Sequence, residues 1–164
     1  MKQGKPANQT IAAYVCALLE SYMFYEIKRF DVKGKEELLT LGKYYIVDIG
    51  LRNYLLGYRD VDTGHIIENI VYFELLRRGY DVAVGKVGNK EIDFIATRDG
   101  EKIYYQVTED MTSEETRARE LAPLKMVKDN YEKVIIVMNT NSTASEEGIR
   151  IVRLIDFLLE SVQR

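Results

Sequence analysis

The stretch that most narrows what this chain can fold into is "KEIDFIATRDGEKIYYQVTED", Lys90 to Asp110. Two alternating runs flank Asp99-Gly100, a dipeptide favoured in two-residue type I′ hairpin turns because both positions need positive φ. A two-residue loop sets Arg98 opposite Glu101, which puts Ile95 opposite Tyr104, Phe94 opposite Tyr105, Asp93 opposite Gln106 and Glu91 opposite Thr108. With a side-chain period of two, Glu91, Asp93, Gln106 and Thr108 fall on one face, and Ile92, Phe94, Ile103, Tyr105 and Val107 on the other. The open end of the hairpin thus gathers two carboxylates, an amide and a hydroxyl. By patterning alone that is the solvated face of an amphipathic hairpin; the alternative is a site.

The rest of the chain frames this hairpin. From His65 to Arg78 a helical pattern runs up to Gly79, "YDVAVGKV" reads as a strand and "GN" as a turn. After the hairpin, Thr112 with Glu115 forms a capping box for a further helix, which Pro123 should kink or restart. "KVIIVMNT" has the continuous apolar character of a strand buried on both faces, and "GIRIVRLIDFLLES" gives a last strand and short helix. A right-handed crossover would make "KVIIVMNT" parallel to the strand before it. Residues 63–164 are therefore expected to form one α/β unit, a mixed sheet flanked by helices. Before it, Thr10 can cap a helix carrying Ile11, Tyr14, Val15, Leu18, Leu19 and Tyr22. "FYEIKRFDVKGKEELLTLGKYYIVD" reads as a hairpin with Asp31, Lys33, Gly34 and Lys35 at its tip, and "IGLRNYLLG" as a short helix stopped by Gly57. Residues 1–62 look like the second half of a winged helix, with the hairpin as wing; ten residues cannot supply the two earlier helices of such a unit.

Bulk charge gives no argument for nucleic acid, since the formal net charge is −3. Cys16 is the one cysteine, which excludes an internal disulfide and a cysteine metal cage, and its apolar helical setting points to core packing. No apolar run approaches the ~18 residues of a membrane span and "MKQGKPANQT" is not a signal peptide, so a cytoplasmic location and no membrane partner are expected. Twelve tyrosines against five phenylalanines and no tryptophan suggest half-buried edges between layers.

Glu68 is the second clue. On a helical wheel its neighbours are Val71, Tyr72, Leu75 and Leu76, and a carboxylate left unpaired there costs several kcal/mol by order of magnitude. It needs a partner, such as His65 or an arginine, or a purpose. Carboxylates from a helix and a strand, with a polar side chain from the next strand, can hold Mg²⁺, which takes a few oxygen ligands and keeps several waters. In phosphodiester hydrolysis such an ion polarises the phosphoryl oxygen and lowers the pKa of the attacking water. Glu68, Asp93 and Gln106 would supply the oxygens, with Glu91 a fourth candidate.

The segment "GHIIENIVYFELLRRGYDVAVGKVGNKEIDFIATRDGEKIYYQV" resembles the C-terminal domain of a family of prokaryotic AAA-type ATPases, a domain of unknown function with a core similar to the PD-(D/E)XK nucleases. "KYYIVDIGLRNYLLG" resembles the linker before that core in the same proteins. The resemblance implies an αβββαβ restriction-endonuclease-like core, an N-terminal AAA ATPase module as partner, and a site in which Glu68 stands for the first-helix glutamate, Asp93 for the second-strand aspartate and Gln106 for the third-strand acidic position. The lysine expected two residues after Gln106 is Thr108, which argues against hydrolysis unless another lysine takes over. Lys125 on the following helix is the candidate, with Lys86 and Lys90 behind it. No GxxxxGK[ST] loop exists in the chain, so no ATP site of that kind is expected here, and the chain reads as an excised fragment or as a relative without the motor.

Lys28, Arg29, Lys33 and Lys35, with Lys43, could follow a phosphate backbone, although Glu26, Asp31, Glu36 and Glu37 are interleaved with them. The leading expectation is an accessory domain that binds or senses DNA through a degenerate Mg²⁺ site of Glu68, Asp93 and Gln106. The alternatives are a Mg²⁺-dependent endonuclease with a displaced lysine, and a docking module for the ATPase or another protein; homodimerisation through the linker region is a further expectation. A lysine amine beside Asp93, a continuous positive surface, and an exposed apolar patch would distinguish these in turn.

Overall fold

The computed structural model describes residues 8–57, 63–140 and 144–160. In order, α1 (Asn8–Glu20), β1 (Phe24–Asp31), β2 (Glu36–Ile46) and α2 (Ile49–Leu56) precede α3 (Thr63–Arg77), β3 (Asp81–Val87), β4 (Lys90–Arg98), β5 (Glu101–Asp110), α4 (Glu114–Met126), β6 (Glu132–Asn139), β7 (Ala144–Glu146), β8 (Ile149–Arg153) and α5 (Leu154–Leu159). All eight strands form one mixed sheet in the order β2-β1-β3-β4-β5-β6-β8-β7. The hairpin expected as a wing lies in this sheet, with β1 parallel to β3. The division drawn after residue 62 falls outside the described residues.

Two apolar layers sandwich the sheet. On one face α3 and α5 cover Phe94, Ala96, Tyr105, Val107, Val134 and Ile136; on the other α4 covers Ile92, Ile95, Tyr104, Ile135 and Val137. The apolar run of β6 is therefore used on both sides, and β6 is parallel to β5 and β8, as its composition implies. Within α3, Ile67, Val71, Tyr72 and Leu75 are buried, and Gly79 at φ 80° ends the turn that follows.

The central hairpin has the expected turn: Asp99 and Gly100 are at φ 53° and 83°, and Arg98 pairs with Glu101, Ile95 with Tyr104 and Phe94 with Tyr105. Beyond Phe94 the face assignment changes. Ala83 pairs with Ile95 but Gly85 pairs with Ile92, so Val84 of β3 faces two residues of β4, Asp93 and Phe94. This β-bulge reverses the alternation. Ile92 and Ile95 now lie on the same side, where a Cβ on Gly85 would come within 3.0–3.1 Å of both side chains. Glu91 and Asp93 turn toward α3, while Gln106 stays on the α4 face with Tyr104. The single polar face drawn from strict alternation is thus two faces.

Four other expectations are corrected. Helix α4 is continuous through Pro123, so it does not restart there. Its N-cap is Ser113, whose hydroxyl accepts from the Thr116 N–H, while Thr112 bonds Asp110 instead. Helix α1 is already formed at Asn8, so Thr10 lies inside it. Cys16 is exposed, because α1 buries none of its apolar stripe against the described residues.

Candidate functional site around Lys43

The site is assembled by three local devices. First, the bulge in β4 aims Glu91 and Asp93 at α3. Second, β2 is clamped to α3 by Asn69: its Nδ2 donates to the Ile46 carbonyl at 2.9 Å and its Oδ1 accepts from the Ile46 N–H at 2.9 Å. This buried asparagine completes both backbone groups of one edge-strand residue. Third, β2 bulges against β1, passing from Lys43 opposite Ile27 to Leu38 opposite Arg29. Gly42 sits in that irregularity, and a Cβ there would meet the Ile27 carbonyl oxygen at 2.4 Å. The outcome is that Lys43 and Tyr45, two apart on β2, both reach Glu68.

Lys43 Nζ lies 3.2 Å from Glu68 Oε2, 2.9 Å from Glu91 Oε1 and 3.6 Å from Asp93 Oδ1. Arg29 holds the other oxygen of Glu91 and donates through Nε to the Leu41 carbonyl. The Tyr45 hydroxyl donates to Glu68 Oε2 at 3.3 Å, and His65 Nδ1 is 4.0 Å from Glu68 Oε1. Asp93 Oδ2 accepts the Val107 N–H at 2.9 Å, just past the last paired residues of β4 and β5. The side chain of Asp93 is 9% exposed and those of Lys43 and Glu91 25% and 30%, so the cluster is a half-open recess.

Its electrostatics follow from burial and crowding. Burial, then the negative charge of Glu68, push the Asp93 carboxyl up to about 7, against the pull of Lys43 and the Val107 N–H. Burial works against the Lys43 ammonium, but Glu68, Asp93 and Glu91 outweigh it and hold its pKa above the usual lysine value. For Glu91 the order is the same with opposite sign: burial raises it, and Lys43 with Arg29 bring it below the ordinary carboxylate range. The Tyr45 phenol is raised by burial and by Glu68, so it remains a hydrogen-bond donor.

Of the residues expected at the site, Glu68 and Asp93 are brought together around Lys43, and Glu91 joins them. Gln106 is directed to α4: its Nε2 donates to Glu120 Oε2 at 3.0 Å, and its buried Oε1 has no hydrogen-bond partner among the described residues. Lys125 pairs with Glu147 at 2.8 Å on the outer side of α4. Lys28 pairs with Glu37 and Arg29 with Glu91, while Lys33 and Lys35 are exposed at the β1–β2 turn, so these four do not form one uninterrupted positive strip. Lys43 is the residue that sequence reasoning placed on a phosphate-tracking surface and not in the site. The available signal was the i, i+2 pair Lys43/Tyr45 on a strand facing a helical glutamate that needed a partner.

Among the described residues no group of three His, Cys, Asp or Glu side chains converges on a metal-binding position. Three carboxylates, Glu68, Glu91 and Asp93, face two cations, Lys43 and Arg29, while Gln106 Oε1 lies on the other face of the sheet.

Beside the cluster a cavity of about 460 Å³ opens between β2, α2 and α3, lined by Phe24, Tyr45, Ile46, Ile49 and Ile66 and by the polar Lys43, Arg52, His65, Glu68 and Asn69. Helix α2 buries none of its residues, and Tyr54, Leu55 and Leu56 are 85%, 67% and 57% exposed. Among the described residues no helix is long and apolar enough to cross a membrane.

Comparison with known proteins gives similarity without an assigned activity. Residues 2–62 match a domain of unknown function, DUF8612. An uncharacterized protein of Haemophilus influenzae is 40% identical over 154 residues, covering 94% of this chain and 38% of that protein. An uncharacterized protein of Methanocaldococcus jannaschii is 28% identical over 142 residues, covering 82% of this chain and 31% of its own length. The chain thus spans less than half of either relative. No solved structure matches.

Proposed function

We propose that this chain is a nuclease-like domain of a longer, ATPase-driven protein, and that it hydrolyses nucleic-acid phosphodiesters in a divalent-cation-dependent manner at the Lys43 cluster. The observation that carries the reading is the Lys43 ammonium, 3.6 Å from Asp93 and 3.2 Å from Glu68. It supplies from β2 the amine that Thr108 lacks on β5. The succession α3-β3-β4-β5-α4-β6 supports a PD-(D/E)XK-like core. The greater length of both relatives supports a further module elsewhere in the parent protein.

In this reading Glu68 and Asp93 would hold Mg²⁺. Such an ion supplies charge neutralisation at the phosphoryl oxygen and a more acidic water. The chain's own groups do the rest. Two of the Lys43 contacts are at hydrogen-bond distance and that to Asp93 is beyond it, so one N–H remains for a non-bridging phosphate oxygen. Arg29 and Glu91 hold that ammonium in place. Asp93 Oδ1 is the oxygen not taken by Val107 and so the one left to face the cation.

Incubating supercoiled plasmid and branched DNA with the protein and Mg²⁺ or Mn²⁺ tests this. Lys43→Met and Asp93→Ala should each lower nicking by roughly a hundredfold or more, the usual loss when a positioned proton-handling or charge-stabilising group is removed. Absence of nicking by the wild type, where a control nuclease cuts, would overturn the proposal. So would activity that survives both substitutions.

A further inference from the structure

We infer that the cavity between β2, α2 and α3 receives one unstacked nucleobase from the strand whose phosphate lies at Lys43, so that the domain acts on single-stranded or end-bearing nucleic acid in preference to closed duplex. The inference rests on the function proposed above and names its substrate class. Three features of the cavity carry it. Its volume, about 460 Å³, lies in the range of small-molecule pockets and leaves room for a nucleobase. Most of its lining is aliphatic or aromatic, with Phe24, Tyr45, Ile46, Ile49 and Ile66 beside the polar Arg52 and Asn69, and an apolar, aromatic lining is what a π-face requires. Its lining takes in part of the cluster, Lys43, His65 and Glu68, which puts an ammonium and an imidazole within the cavity for an anion to meet, and among the described residues Glu68 Oε1 has His65 at 4.0 Å. A carboxylate oxygen so placed accepts from an exocyclic amino group or ring N–H.

A mainly apolar cavity with Lys43 and His65 in its lining suits a nucleotide, which joins a planar base and an anion in one molecule. Extraction of a base from a stacked duplex costs energy that an already unpaired strand or a free end does not. The preference for single strands then follows from geometry.

The experiment scans 2-aminopurine through a short single strand and follows its fluorescence and anisotropy with Ca²⁺ in place of Mg²⁺. A covalently closed duplex serves as competitor, and Ile49→Trp and Leu55→Trp as variants that fill the cavity. Leu55 is exposed, so its replacement leaves the core untouched even if Ile49→Trp disturbs folding. The expected result is brightening at one or two positions, binding of the single strand at least about tenfold tighter than closed duplex, and loss of both in the variants. Binding without brightening at any position, equal affinity for both forms, or unchanged behaviour of Leu55→Trp would overturn this inference and leave the proposed function standing. If no oligonucleotide of either kind binds, the proposed function falls and this inference with it.

Discussion

The two faces of the β4–β5 pair make opposite use of the same strands. Toward α3, Glu91 and Asp93 meet Lys43 and Arg29, and the buried carboxylate is held by full charges. Toward α4, Gln106 meets Glu120, whose other oxygen is bonded by Arg119, and the buried polar atoms are an amide and one carboxylate. One extra residue in β4 separates these outcomes. Without the bulge at Asp93-Phe94, Asp93 would share the face of Gln106 and Lys43 would have no Asp93 to approach. A site can therefore be relocated across a sheet by a single local irregularity, at the cost of a small residue on the neighbouring strand.

That small residue is Gly85, and its replacement should have the largest effect on stability. In Gly85→Val the new carbons would meet Ile92 and Ile95, both fully or almost fully buried, at 3.0–3.1 Å from the Cβ alone. Overpacking of this kind costs ~1–3 kcal/mol, and the upper end is expected because neither isoleucine can leave the core. Urea unfolding would show it, and a variant as stable as the wild type would mean the bulge is soft. Next comes the pH dependence set by Asp93. Its carboxyl is raised to about 7 in the fold, against 3.8 as the ordinary value, so the folded state holds a proton that the unfolded state has already lost. Stability from this group is fully present below the unfolded value and is lost as pH rises through the folded one. Between pH 5 and 8 the wild type should lose on the order of 2 kcal/mol that Asp93→Asn retains. Equal pH slopes for the two proteins would show that Asp93 is compensated better than the geometry suggests.

The register of the central hairpin was legible because two residues, Asp99 and Gly100, impose it locally and the ladder copies it as far as Phe94. The faces beyond were not legible, because a bulge is decided by the partner strand: nothing in "KEIDF" announces it, and only Gly85, two strands' width away in sequence terms, makes room. Glu68 could be singled out as a carboxylate in need of a partner, since periodicity alone placed it among apolar neighbours. Its partner could not, because Lys43 reaches it through the Asn69 clamp and the Gly42 irregularity, both tertiary. The amphipathic pattern of α1 was read correctly as a helix and wrongly as core around Cys16. Periodicity reports that a face is apolar, not that something covers it. Strand β7 went unread, being three residues long and defined only by its pairing with β8.

The α4 side sharpens the comparison with smaller effects. Gln106→Leu removes a buried acceptor without a partner among the described residues but also the Nε2 donor to buried Glu120, which keeps Arg119 on its other oxygen, so stability without added cation should fall by about 1–2 kcal/mol. If Gln106 Oε1 joins Glu68 and Asp93 around a cation, the same variant should lose most of the melting-temperature gain that Mn²⁺ gives the wild type. An undiminished gain would confine the cation to the α3 side.

The smallest effect is expected at Lys125, and its smallness is informative. The Lys125–Glu147 pair is 2.8 Å long but 40% and 61% exposed, and exposed pairs of this sort contribute ~0–1 kcal/mol. Lys125→Ala should therefore leave both stability and nicking near wild type. Lysine chemistry in a carboxylate site requires the amine within reach of the same phosphate that the carboxylates serve, and reach is a matter of which face the side chain leaves from. Lys125 leaves the outer side of α4 and is held there by Glu147; Lys43 leaves β2 on the α3 side, where Asp93 has been turned to meet it. Measured side by side in the nicking assay, the pair Lys43→Met and Lys125→Ala asks which face of the sheet the chemistry uses. Loss in the first alone places it with the bulge. Loss in the second alone would return it to the face that strict alternation predicts, with Asp93 swinging back across the strand toward Gln106.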